Sequence, residues 1–223
     1  MNLRLFIPFF DTTAQDWAIE ARWLRWLTFL WLMVGLAVMF SASYPVADSQ
    51  LNDGLYYFRL QLVWIAIGMV GFNLLVHSPL RYIVGIAHIF LLIFLGCILV
   101  TLIPGVGTTV NGATRWLFLG PFPIQPSELL KPFLVLQSAR IFGQWFRLSW
   151  ATRLTWLGIF GLVVLGILLQ PNLSTAALCG ILLWLVALAA GLPYSQLGGT
   201  ALAGFCLAIL SVSIRSYQRR RIM

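Results

Sequence analysis

Glu128 and Lys131 are the residues best suited to chemistry: the one carboxylate inside an apolar run, and the one lysine of the chain. Three apart on a helix, they share a face and can pair. Ionisable groups are costly in hydrocarbon and mark a functional interior or aqueous cavity, although a structural ion pair between helices leaves the same signature. Just before them, Ile124-Gln125-Pro126-Ser127-Glu128 reads as a helix start. Proline loses nothing in the first turn, and the free amide groups there favour an anion such as phosphate. Arg115 adds a fork of donors matched to phosphate oxygens. Arg115 and Trp116 together also suit an interface anchor, and the residues alone leave that choice open. Gln170-Pro171-Asn172-Leu173-Ser174-Thr175 is a polar turn that can satisfy freed backbone groups or line a cavity. His77 and His88 have no partners at metal-ligand spacing and read as a loop residue and a packed helix residue.

The elements that must position these groups are membrane spans. Hydrophobic residues make up 61% of the 223 and charged residues only 9%, against roughly 25% in soluble domains. Too little charge remains to cover a surface in water, and several apolar runs exceed the roughly 18 residues that cross a bilayer. Backbone in lipid must satisfy itself, and no alternating barrel strands are seen, so the spans are helices. The net charge of +8 would suggest nucleic acid in a soluble protein. Here the cations lie mostly in short segments between apolar runs, where they set orientation and meet anionic headgroups, so no nucleic-acid partner is expected. Cys97, Cys179 and Cys206 all lie in apolar runs and read as small core residues without disulfides.

Along the chain, residues 1–22 form a cytoplasmic segment, with an interfacial amphipathic helix from Asp16-Trp17 to Arg25-Trp26. The transmembrane helical domain covers 23–214. Its spans run near 23–43, 57–76, 80–103, 126–142, 154–169, 173–190 and 197–214, with a polar loop over 44–56. Leu27 to Phe40 followed by Ser41-Ala42-Ser43 loosely imitates a signal peptide, but the long acidic lead-in favours an uncleaved first span. Residues 104–125 form an extracellular loop without regular period, long enough to be functional. With the N-terminus inside, Arg4, Arg22, Arg25, Arg81, Arg140, Arg147 and Arg153 are cytoplasmic while Arg59 and Arg115 lie outside. The basic cluster in 215–223 then falls outside, against the rule: one span is miscounted, or the cluster binds an anion there.

Val110-Asn111-Gly112-Ala113-Thr114-Arg115-Trp116-Leu117-Phe118-Leu119-Gly120, followed by Ile124-Gln125-Pro126-Ser127-Glu128-Leu129-Leu130-Lys131, resembles the hallmark of the SEDS family (FtsW, RodA, SpoVE). Ser41-Ala42-Ser43, Gln170-Pro171 and Tyr217-Gln218-Arg219-Arg220-Arg221-Ile222 agree with it too. Asn111-Gly112-Ala113 and the long N-terminal segment look more like the FtsW branch. The resemblance covers essentially the whole chain. Asn172 and Ser174 depart from it, since many members read Q-P-D-x-G-T there.

The resemblance implies an all-α polytopic bundle, with about seven spans of a ten-span fold, residues 215–223 opening a large extracellular loop. It implies a cell-division-type peptidoglycan glycosyltransferase that polymerises lipid II. The family's catalytic aspartate lies in that loop, so the general base is expected beyond Met223, no catalytic residue in this chain, and no polymerisation by these residues alone. Asn111, Arg115, Trp116, Gln125, Pro126, Ser127, Arg219 and Arg221 would bind the lipid-linked substrate, and Glu128 would hold Lys131 in a cavity. Implied partners are lipid II, a class B penicillin-binding protein, other divisome proteins and membrane lipids. The implied location is the bacterial plasma membrane at the division septum. No cofactor is certain, and a divalent cation such as magnesium is the candidate. A lipid II flippase and a non-catalytic divisome assembly subunit remain the alternatives.

Overall fold

The computed structural model describes residues 17–103, 107–110, 113–119, 122–170 and 172–214. They fall into two compact units divided between Pro79 and Leu80.

The first unit is a helical hairpin of α1 (Ile19–Leu51) and α2 (Tyr56–Val76). Phe29 meets Phe72 and Phe40 meets Phe58, edge to face, with ring centroids 6.1 and 5.1 Å apart. At 1.5 Å per residue α1 is about 50 Å long, well beyond the roughly 30 Å hydrocarbon layer. Two expectations are corrected here. The amphipathic stretch near Trp17–Trp26 is no separate element, because α1 runs through it unbroken from Ile19. Tyr44–Leu51, expected in a loop, is helical across Pro45. Proline removes one intrahelical hydrogen bond, and packing compensates: Ala47 is fully buried, and the Tyr44 ring lies against Gly54 so closely that a Cβ there would come within 2.7 Å. Asn52 ends the helix in the left-handed conformation (φ 52°), its N–H donating to Asp48 O. Asp53 then accepts from Leu55 N–H at 3.1 Å and pairs with Arg59 at 3.3 Å.

The second unit holds α3 (Leu80–Thr101), β1 (Thr108–Val110), β2 (Ala113–Leu119), β3 (Phe122–Ile124), α4 (Pro126–Gly143), a 3-10 turn (Trp145–Arg147), α5 (Trp150–Leu169), α6 (Leu173–Ala189) and α7 (Tyr194–Ile214). Its core is a set of helical stripes: Leu91, Leu95 and Ile98 on α3; Leu130, Leu134 and Ile141 on α4; Phe160, Val163 and Ile167 on α5; Ala176 and Cys179 on α6. The three- and four-residue steps put each set on one face. Phe90 and Phe94 stack on Phe133, joining α3 to α4. Gly166 lets α5 approach α3, since a Cβ there would lie 3.1 Å from Ile98 Cγ2. The loop expected to be irregular contains a three-stranded antiparallel arrangement, β1-β2-β3. Local hydrogen bonding there removes the cost of unpaired backbone groups near the membrane.

The architecture is all-α, polytopic and transmembrane. Helices α1, α2, α3 and α5 are each long and apolar enough to cross a membrane, and α6 is apolar but 17 residues long. Helix α4 carries Glu128, Lys131 and Arg140 within 18 residues. The end of α5 bonds to the end of α3, Gln170 Nε2 donating to Thr101 Oγ1 and, at 3.5 Å, to Ile98 O. Both helices therefore finish at one face of the unit and start at the other. The three cysteines are free.

Candidate functional site

Helix α4 begins where the sequence expected. Gln125 takes the N-cap position with extended backbone, Pro126 opens the first turn, and Glu128 supplies that turn's acid. No side chain caps the end. Gln125 Nε2 donates instead to Ser127 Oγ at 3.1 Å, and Pro126 and Ser127 are buried. An uncapped helix start keeps its amide dipoles available to an anion.

The strands bring Arg115 to this end. Leu117 on β2 pairs with Ile124 on β3, and Ile124 directly precedes the N-cap. Arg115 lies two residues before Leu117 on β2, unpaired at the bulge where the β1 register steps from Thr108–Trp116 to Thr109–Thr114. β2 packs against both α3 and α4. Arg115 is half-buried, and its Nε has no hydrogen-bond partner among the described residues. Trp116 is also half-buried, opposite Thr108 on β1.

Lys131 Nζ and Glu128 Oε2 are 2.6 Å apart. The lysine is more enclosed, with 23% of its side chain exposed against 50% for the glutamate. Glu128 thus forms the open lip of the pair and Lys131 the inner member. Cys179 on α6 lies within electrostatic reach of both, so α6 walls this part of the unit. Deeper on α4, Gln137 and Ser138 are buried, and Gln137 Oε1 lacks a partner among the described residues.

At the α5–α6 turn, Asn172 Oδ1 accepts from Thr175 N–H at 3.4 Å and caps α6. Sequence reasoning did not place Cys179, Gln137 or the Thr101–Gln170 bond in the site. The available signal was polarity within apolar runs, which names Gln137 and Gln170 but not their neighbours. Asn111, Arg219 and Arg221 lie outside the described residues.

Among the described residues no three His, Cys, Asp or Glu side chains come together.

A family model for FtsW, RodA and SpoVE, described as "Cell cycle protein", matches residues 22–223. The chain belongs to the FtsW/RodA/SpoVE family. It is 49% identical over 220 residues to the "Probable peptidoglycan glycosyltransferase FtsW" of Synechocystis sp., covering 99% of this chain and 56% of that protein. It is 44% identical to the "Putative peptidoglycan glycosyltransferase FtsW" of Mesostigma viride, covering 97% and 52%. The chain thus spans about half the length of these FtsW relatives. Among solved structures, Thermus thermophilus RodA matches with 28% identity and a TM-score of 0.59, over 80% of this chain and 58% of RodA. A chain from a peptidoglycan synthase complex matches equally well, over 86% and 56%. Family membership and the apolar helices make this a multi-pass inner-membrane protein.

Proposed function

We propose that this FtsW-family protein takes part in peptidoglycan glycosyltransfer of the cell-division type, its residues holding the pyrophosphate of lipid II. The observation that carries the reading is Arg115, a half-buried guanidinium with an unpartnered buried Nε, on a strand tied to the uncapped start of α4. Lys131 follows within the first two turns of that helix. Glycosyl transfer from a lipid pyrophosphate builds negative charge on the leaving oxygens, and preorganised cations and amide dipoles stabilise it. Glu128 holds Lys131 in place at 2.6 Å, while its own exposed half leaves room for substrate at the lip. The relatives named as FtsW glycosyltransferases and the match to a peptidoglycan synthase complex support lipid II as substrate and a class B penicillin-binding protein as partner. Arginines at the Arg81, Arg140, Arg147 and Arg153 end support a cytoplasmic N-terminus, and the FtsW likeness supports a septal location.

The test is polymerisation of lipid II by the full-length FtsW protein with its penicillin-binding partner, with glycan strands resolved on gels. Arg115→Ala and Lys131→Met should each lower the rate by roughly 10²–10³-fold, the usual loss when one preorganised donor is removed. Arg81→Gln should leave it unchanged. Unaltered rates in both site variants would overturn the assignment. Lipid II translocation without polymerisation, in vesicles holding this protein alone, would favour the transport reading.

A further inference from the structure

The opposite end of the second unit carries a second concentration of donors, unrelated to the proposed pyrophosphate site. Helix α4 ends at Gly143, the 3-10 turn Trp145–Arg147 follows, and Ser149 caps α5 by accepting from Thr152 N–H at 3.3 Å. In α5's first turn Arg153 lies between two indoles, its guanidinium carbon 5.4 Å from the Trp145 ring centroid and 5.6 Å from that of Trp150. Such stacking fixes the direction of a side chain that otherwise samples many rotamers.

Two buried donors here have no acceptor among the described residues: Arg153 Nε and the indole N–H of Trp145, a residue only 5% exposed. Exposed Arg147 and Arg140 add two more cations beside them. No carboxylate can answer them from within the unit. Glu128, the only one in residues 80–223, sits twelve residues up α4 from Arg140, about 18 Å at helical rise. Phe146 and Trp150 are exposed at the rim, the residue types that seat in the boundary between headgroups and acyl chains. The charged side chains of the turn are thus all cations, with an apolar rim beside them.

We infer that the α4–α5 turn is a discrete site for the phosphate headgroup of an anionic phospholipid, held by Arg147 and Arg153 with the Trp145 indole N–H. Diffuse attraction of basic loops to a charged leaflet depends on the number of cations. This site depends on which cations are present. Arg81 provides the comparison: it is exposed at the start of α3, at the same face of the unit, and its guanidinium stacks on Tyr82 and donates to its hydroxyl.

The test is native mass spectrometry of the full chain released from micelles containing equal phosphatidylglycerol and phosphatidylcholine. The unaltered protein should retain phosphatidylglycerol preferentially. Arg147→Gln and Arg153→Gln should each reduce that retention about fivefold, the scale of one arginine at a charged surface. Trp145→Phe, which keeps the ring and removes the N–H, should reduce it by a smaller factor, and Arg81→Gln should leave it unchanged. Arg147→Gln decides the matter if Arg153→Gln fails to fold, because Arg147 is exposed. An equal loss with Arg81→Gln overturns the inference in favour of diffuse charge. Equal retention of phosphatidylcholine also overturns it, as does displacement of the lipid by millimolar inorganic phosphate.

Discussion

Replacing Thr101 with valine should weaken the second unit measurably, because one hydroxyl joins two helices there. Thr101 is 1% exposed. Its Oγ1 donates to Ile98 O at 2.7 Å and accepts from Gln170 Nε2. Valine keeps the branched shape and loses both bonds. Gln170 would then retain only Ile98 O at 3.5 Å, the edge of hydrogen-bonding distance, and its Oε1 already lacks a partner among the described residues. Interhelical hydrogen bonds in membranes average about 0.6 kcal/mol and reach about 1.7. Stranding the buried Gln170 amide adds about 1 kcal/mol, giving a loss of roughly 1–3 kcal/mol in all. For a chain of this size that corresponds to a fall in Tm of roughly 2–12 °C. Thermal unfolding of the purified protein in detergent, followed by tryptophan fluorescence, reads this directly. Thr101→Ser keeps the hydroxyl and should fall less. Combining Thr101→Val with Gln170→Leu should cost less than the sum of the single changes, since each removes the same bond. Strict additivity, or a larger loss in serine than in valine, would refute the hydrogen-bond account and leave methyl packing as the cause.

Further substitutions probe other joints, with stability read in the same unfolding assay. Gly166→Val should cost about 1–3 kcal/mol by forcing α5 away from Ile98, whereas Gly161→Ala, with no atom within 4 Å of the new Cβ, should leave Tm unchanged or slightly raised. Asn172→Ala removes the acceptor for Thr175 N–H and should lose about 1 kcal/mol. Asn172→Asp keeps that acceptor at a helix N-terminus and should lose less; an equal loss would show that the cap contributes nothing. Arg59→Gln breaks an exposed pair with Asp53 and should change stability by less than about 1 kcal/mol; a larger loss would mean that the pair organises the α1–α2 turn.

Composition by itself decided the class of this protein, because a chain with so few charges can satisfy its backbone in lipid only by forming helices. The start of α4 was equally legible: Pro126 suits the first turn of a helix, and Glu128 and Lys131 sit at a spacing where helical geometry makes them neighbours. Both are local facts, set within a few residues. Tertiary structure decided what local rules leave degenerate. In helices apolar on every side, no period distinguishes the packed face, so the stripe Leu91-Leu95-Ile98 becomes visible only once α4 and α5 cover it. The continuation of α1 through Pro45 rests on the buried Ala47 and on Tyr44 closing over Gly54. The pairing that carries Arg115 to the α4 start joins short strands between masking glycines and prolines. Gln170 reaches Thr101 from 69 residues away, a bond no spacing rule foresees, because it exists only when two helix ends meet at the same depth.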